Sequence, residues 1–562
     1  LPLPGESEGP GQSDYVAPRS TEEELLKDIW EYVLGIDRIS IYDNFFDLGG
    51  DSILNIQIVS RAVKAGIQIT PSLLFQNQTI ADLARASSYI DDWNTAESTV
   101  PIASESDATP YPLTPLQAGM LFHTLKEPHT GIYVEQYCCT FSGPLNPFLL
   151  KKAWESLVHY HPVLRTSFLW DDLEQPVQQI NEGIPIEWQM EPAGERSTEE
   201  ISQRIESYLQ DDRVKGFQLD EPPLLRVGLF ELGDGNHRFI WSFHHIICDG
   251  WSSARIIQEL VAEYHALNQG HTIFERQERP FRDFVSWVQE QDRPSAARFW
   301  RKELAGATSP TALPTYQVDP QRQGYGKHTL PFSTDFTSSI NAAARSRRLT
   351  VNTIIQGAWA LLLHFYSGEE DIIFGSTVSG RPPFFEDSQT MVGLFINTLP
   401  IRIEIERDSS FSEWLATLFE KQIRTREFET SSLVDIQEWS EFQSGVPLFD
   451  SIVVFENVPT GQAESDIPAE ITINQVEYHE QSNFPISIIA LPGDQLTLVA
   501  FYEKTFFSDD HIQRILSHLK TIVEQFVEQP EQRLGSLSLL SSQEQQKLSA
   551  WQGQSSVSPI HG

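Results

Sequence analysis

The run Phe243-His244-His245-Ile246-Ile247-Cys248-Asp249-Gly250 constrains the chain more than any other. Before it, Phe239, Trp241 and Phe243 fall on one face, and Arg238 and Ser242 on the other, with Ile240 the apolar exception. That period of two predicts a strand. After it, Ile256, Ile257, Leu260, Val261 and Tyr264 recur at helical spacing, with Ser252 as the candidate cap. Two histidines therefore stand where a strand ends, an Asp-Gly turn follows and a helix begins. Loops at strand ends are common places for chemistry, and imidazole is the side chain best suited to moving a proton near neutral pH. A single histidine beside a strand is more often packed or solvated. The doublet followed by Asp-Gly is what sets this one apart.

At 562 residues the chain exceeds one core, and three to four folding units are expected. Lys+Arg 40 against Asp+Glu 78 gives a net charge of −38, which weighs against nucleic acid and an anionic membrane as partners. No apolar run approaches the ~20 residues that span a bilayer. The start, Leu-Pro-Leu-Pro-Gly-Glu, lacks the basic and apolar parts of a secretory signal. The three cysteines, Cys138, Cys139 and Cys248, form no CxxC pair, so neither a disulfide framework nor a metal site is expected. Free thiols fit a reducing, cytoplasmic setting.

Residues 1–18, rich in Pro, Gly and Ser, read as a linker. Thr21 and Glu24 have capping-box spacing, Leu25, Leu26, Ile29, Trp30 and Val33 follow helically, and Gly35 stops the helix. Further helices are expected over 52–65, 71–75 and 79–86, making a small four-helix bundle. Between the first two lies Asn44-Phe45-Phe46-Asp47-Leu48-Gly49-Gly50-Asp51-Ser52. Ser52 opens a helix, where free N–H groups favour a phosphate. On the residues alone it either carries such a group or only caps the helix. The segment, roughly 19–90, resembles a peptidyl carrier domain with its FFxLGGDS attachment motif. The resemblance implies a 4′-phosphopantetheine arm on Ser52, whose thiol holds an amino acid or peptide as a thioester. Asp51 and Ile53 flank the site in a docking or a structural role.

Residues 91–108 are a polar tether that could reach roughly 60 Å. From 109 to about 540 strands and helices mix in an α+β or α/β pattern. HHxxxDG is the signature of an acyltransferase superfamily, and further motifs narrow it. Tyr111 to His123, His161 to Phe168, Asp371 to Gly375, Ser379-Gly380-Arg381, Met391 to Pro400, Leu433 to Gln437 and Leu448 to Ser451 follow in order. The region resembles the condensation domain of nonribosomal peptide synthetases. That family's fold is two chloramphenicol-acetyltransferase-like lobes in a V, here about 109–277 and 278–540, crossing at Arg276 to Trp300. A tunnel between a donor face and an acceptor face would hold the histidine loop at its middle. Residues 541–562 resemble the lead-in to an adenylation domain.

The implied reaction is peptide bond formation: an acceptor amine attacks a carrier-bound thioester. The resemblance assigns His245 to the amine, as base or as positioner. It gives His244 and Asp249 to loop support, with Arg381 as the first-choice partner of Asp249 and Arg165 as the second. Gly250 would leave room for the arm. Trp251 is expected to pack, with tunnel lining as the second option. Ser379 and Asn397 would contact the intermediate or serve structure. The upstream carrier would present the donor, and with no epimerisation domain between, an L-to-L type is expected. Implied partners are a downstream acceptor carrier, a phosphopantetheinyl transferase and neighbouring modules with adenylation domains. An epimerisation domain, a terminal cyclising domain and a non-catalytic platform recruiting tailoring enzymes are the competing readings.

Overall fold

The computed structural model describes residues 15–50, 52–89, 109–274, 279–313, 324–382, 385, 387–443, 445–456, 471–540 and 544. The three expected linkers lie wholly or largely outside these residues, as does Asp51.

The N-terminal bundle has helices Thr21–Leu34, Ser52–Lys64, Pro71–Gln76 and Ile80–Ala86. Ser20, not Thr21, caps the first: its side chain accepts from the Glu23 N–H, and Thr21 is already helical. The register is fixed by Glu23, whose carboxylate accepts from the Arg19 backbone N–H at 2.7 Å and pairs with the Arg19 guanidinium. Gly35 ends the helix in the left-handed region, at φ 66°. Trp30, Phe45 and Phe46 fill the centre, with successive ring centroids 5.4 and 5.3 Å apart.

Beyond residue 109 two sheets organise the chain. The first has five strands, in the order Thr472–His479, Val134–Ser142, Asn236–His244, Leu225–Gly233 and Glu187–Glu191. Its edge strand comes from far along the chain: Thr472–His479 pairs antiparallel with Val134–Ser142. The second sheet has six strands, in the order Tyr325–Pro331, Thr497–Glu503, Ile486–Leu491, Ser451–Phe455, Asp371–Val378 and Asn397–Glu404. Helix Val351–Ser367, buried over most of its length, packs beside it.

Strand Asn236–His244 is covered on both faces, which corrects the alternation read from sequence. Ile240 is no exception: it packs with Cys138, Phe230 and Leu209, the last from helix Thr198–Lys215. On the same face Ser242 accepts from Gln136 Nε2 at 3.3 Å, and Arg238 pairs with Glu477 at 2.7 Å. Helix Phe281–Gln289 bridges the two parts: Phe281, Phe284 and Val285 pack with Tyr111 and Ile180 on one side and with Met391 and Phe395 on the other.

Candidate active site

The histidine loop is built by its own hydrogen bonds. Strand Asn236–His244 ends on the first histidine, His245–Ile247 make one 3-10 turn, and helix Gly250–Asn268 follows. Asp249 caps this helix by accepting from the Ser252 N–H at 2.8 Å, so Ser252 is the capped residue and not the cap. A carboxylate at that position serves the helix's free N–H groups better than a hydroxyl one turn in.

The two histidines differ in what they can do. His244 Nδ1 accepts from the Ile246 N–H at 3.1 Å, which puts its proton on Nε2. Nε2 lies 3.1 Å from Thr124 Oγ1, and that hydroxyl donates to the Met120 carbonyl at 2.8 Å. Both ring nitrogens are engaged, and burial pushes the His244 pKa down to about 3. It is a neutral structural group. His245 Nδ1 lies 2.9 Å from the Cys248 carbonyl. A carbonyl only accepts, so Nδ1 carries the proton and Nε2 keeps its lone pair. Burial lowers its pKa as well. The His245 N–H donates to the Tyr133 carbonyl at 2.8 Å, fixing the backbone. The result is a held, neutral imidazole with one basic nitrogen.

Asp249 joins the two sheets' loops. Arg381 Nη2 donates to its Oδ1 at 3.2 Å, and Oδ2 accepts from the Phe395 N–H at 2.9 Å. Arg381 also donates to Ser252 Oγ at 2.8 Å and to the Met391 carbonyl at 2.9 Å. Gly380 brings it there: φ is +58°, and a Cβ would overlap the Phe395 carbonyl oxygen. Arg165 is elsewhere, donating to the Asn181 and His159 carbonyls at 3.1 and 3.3 Å.

His245 lines a cavity of about 500 Å³, together with Gly250, Trp251, Ser379 and Arg381. Gly250 is close-walled, since a Cβ there would meet Glu456 Oε1 at 3.3 Å. Trp251 both lines the cavity and packs, its Nε1 donating to the Gln389 carbonyl at 3.2 Å. Asn397 is not one of its lining residues, and its amide donates to the Glu429 and Ser431 carbonyls, each at 2.8 Å.

Gly49 and Gly50 of the N-terminal bundle line the same cavity. Three aromatic rings and one cation hold the bundle against helix Phe411–Arg426. The Phe419 ring lies 5.2 Å from Phe75 and 6.2 Å from Phe46, and the Arg426 guanidinium lies 5.8 Å from the Phe75 ring. Gly49 turns at φ +93°, Gly50 lies against the Phe45 ring with no room for a Cβ, and Ser52 begins a helix. A tight turn, a helix N-terminus and an opening into a cavity fit a phosphate-linked arm at this position.

Sequence reasoning missed Glu135, Glu456 and Glu480, which line the cavity too. For Glu135 and Glu456 the available signal was a charged residue within or just after a largely buried strand; Glu480 follows the polar strand Thr472–His479 and carried no such signal.

The fold and site together define a carrier unit joined to a histidine-loop acyltransferase-like domain. Residues 107–549 match the family model described as Condensation domain, and residues 24–87 match Phosphopantetheine attachment site. The chain belongs to the condensation-domain family of nonribosomal peptide synthetases, with a carrier domain that bears covalent 4′-phosphopantetheine preceding it. It is 38% identical over 442 residues to one of the linear gramicidin synthase proteins of Brevibacillus parabrevis, covering 78% of this chain and 6% of that protein. It is 30% identical to surfactin synthase subunit 3 of Bacillus subtilis, covering 78% of this chain and 34% of that protein. The chain thus spans a small part of these relatives. The first condensation domain of the calcium-dependent antibiotic synthetase shares the fold at TM-score 0.63 and 19% identity, over 77% of this chain and 100% of that one. The X-domain from teicoplanin biosynthesis does so at TM-score 0.65 and 23% identity, over 76% of this chain and 97% of that one. Among the described residues no helix is long and apolar enough to cross a membrane.

Proposed function

We propose that this chain forms peptide bonds, as an acyltransferase whose carrier presents the donor. The observation that carries this reading is one cavity lined both by Gly49 and Gly50, three and two residues before Ser52, and by His245. Ser52 is the attachment residue, and the arm's thiol supplies the donor acyl group in activated form. The acceptor is the amine of an aminoacyl group on a downstream carrier. As the amine attacks the donor carbonyl, His245 Nε2 takes its proton, a contribution of typically 10²–10⁴-fold. Confining two tethered reactants in one cavity adds at least as much. Asp249 and Arg381 hold the loop, and Gly250 keeps the passage open. With the carrier upstream and no epimerisation domain between, the donor residue is L-configured or glycine. A phosphopantetheinyl transferase must modify Ser52, and neighbouring adenylation domains must supply the residues.

The test is a single-turnover transfer from acyl-loaded Ser52 to a separately loaded acceptor carrier, followed by intact mass. Transfer supports the reading. Loading without transfer for several donors and acceptors favours a recruiting platform, and α-proton exchange without transfer favours an epimerase.

A further inference from the structure

Three carboxylates that the reaction above does not use close on the cavity. Glu135 stands on strand Val134–Ser142, Glu456 directly follows strand Ser451–Phe455, and Glu480 directly follows strand Thr472–His479. All three line the cavity with His245, and Glu456 Oε1 reaches to Gly250 at the start of the helix that follows the histidine loop. Glu135 is 5% exposed, and among the described residues its carboxylate has no hydrogen bond and no ion pair. The charges acting on it are Glu480 and Glu456, both of its own sign. Burial and this repulsion push Glu135 well above the ordinary carboxylate range, burial raises Glu456, and burial with the charge of Glu456 pushes Glu480 up to about 8. Lys327 acts on Glu480, but its Nζ donates to the Tyr478 carbonyl at 3.0 Å.

Buried in this way the carboxyls hold their protons to a higher pH than usual, and a cation entering the cavity would favour their charged form. Among the described residues no three metal-ligating side chains group tightly enough to hold a metal ion, so the three carboxyls make an acidic wall and not a chelating cage. The reaction proposed above brings a cation of its own, because an aminoacyl acceptor arrives as an α-ammonium.

We propose that Glu135, Glu456 and Glu480 form the seat of the acceptor's ammonium, holding the amine beside His245 before it attacks. This rests on the peptide-forming reading. The ammonium must lose two protons to become an amide nitrogen. The first passes to a carboxylate of the trio, turning ammonium and carboxylate into neutral amine and carboxylic acid with no change in net charge. The second goes to His245 Nε2 as the C–N bond forms and the C–S bond breaks, the C–S electron pair leaving on the arm's sulfur as a thiolate that the His245 proton then neutralises. The trio and His245 thus take one proton each.

The test is equilibrium binding of two soluble probes to the full chain. One is N-glycyl aminopantetheine, with a free ammonium; the other is N-glycolyl aminopantetheine, with a hydroxyl in its place. A charge-assisted contact predicts that the wild type prefers the glycyl probe by about tenfold or more. Glu135→Gln and Glu480→Gln each reduce that preference, the double variant, which keeps Glu456, reduces it further, and glycolyl binding stays unchanged. The carboxamides resemble the neutral acids that these raised carboxyls form near neutral pH, so the variants should melt no lower than wild type. Equal binding of both probes by wild type overturns the proposal. So does equal loss of both probes with a lower melting temperature, which marks the trio as structural. Displacement of the glycyl probe by micromolar Mg²⁺ or Ca²⁺ overturns it in favour of a metal. Because binding is read without transfer, a glycyl preference in a chain that transfers nothing would sink the peptide-forming reading and leave the ammonium seat standing.

Discussion

Arg381 and Asp249 are 132 residues apart in sequence and meet at 3.2 Å, with side chains 2% and 0% exposed. The pair ties the histidine loop on the first sheet to the loop that follows strand Asp371–Val378 on the second. Each partner is also bonded to the other's surroundings: Asp249 to the Phe395 N–H, Arg381 to Ser252. Removing either one leaves a buried charge without its partner. Arg381→Ala or Asp249→Ala should cost roughly 3–5 kcal/mol and lower the melting temperature. Arg381→Lys should recover little, since an ammonium cannot reproduce the fork of donors. Melting curves of the three variants check this, and near-wild-type stability for either alanine variant would count against it.

His245 acts through its neutral ring. Its imidazole must be neutral to accept a proton, and burial lowers its pKa below the ordinary 6.5. A base with a lowered pKa remains neutral as pH falls through 6.5 and is protonated only further down. Ring-proton NMR of the chain beside His245→Ala should therefore place the His245 midpoint below 6.5. A midpoint at or above 6.5 would contradict this placement of the ring.

Gly250 separates space from stability. A Cβ would stand 3.3 Å from Glu456 Oε1, on the cavity wall. Gly250 is the first residue of a helix, and alanine suits that backbone. Gly250→Ala should leave the melting temperature within a few degrees of wild type while slowing transfer roughly ten- to a hundredfold. Stopped-flow quench of the loaded chain measures the rate, and an unchanged rate would remove Gly250 from the passage.

Phe419 tests the docking of the carrier. Its ring meets Phe75 at 5.2 Å and Phe46 at 6.2 Å, and such pairs contribute about 1 kcal/mol each beyond the area they bury. Phe419→Ala should slow transfer from the tethered carrier at least several-fold. Transfer from a soluble donor thioester, which needs no docking, should be unchanged. Equal slowing of both would place the effect in the domain's core instead.

What the sequence revealed follows from how local each feature is. The histidine loop, Gly49-Gly50-Ser52 and Ser379-Gly380-Arg381 are contiguous runs, so their residues could be named before any fold was known. The starts of the N-terminal bundle's helices were legible to within a residue. Ser20 and Thr21 offer the same hydroxyl, and the choice between them was made by Arg19 and Glu23 reaching around the turn. Ser252 has the chemistry of a cap, but Asp249, three residues earlier, has the stronger acceptor. Ile240 broke a pattern that assumes one solvated face, and helix Thr198–Lys215 covers that face. The glutamates were illegible for another reason. They lie on three strands' worth of chain, at 135, 456 and 480, and only the pairing of Thr472–His479 with Val134–Ser142 carries Glu480 over to the first sheet. Asn397 belongs to a recognisable motif, yet its bonds to Glu429 and Ser431 could not be seen from the motif alone.

The most direct test of the central claim loads Ser52 with an acyl-pantetheine, adds an aminoacyl-loaded acceptor carrier, and follows both masses through one turnover beside His245→Ala and Ser52→Ala. The account predicts that the acyl group moves to the acceptor amine in wild type. It predicts a loss on the order of 10²-fold or more in His245→Ala, as expected for removing a positioned acid–base group. It predicts no loading at all in Ser52→Ala. Transfer at the wild-type rate in His245→Ala, or mass gain in Ser52→Ala, would contradict it.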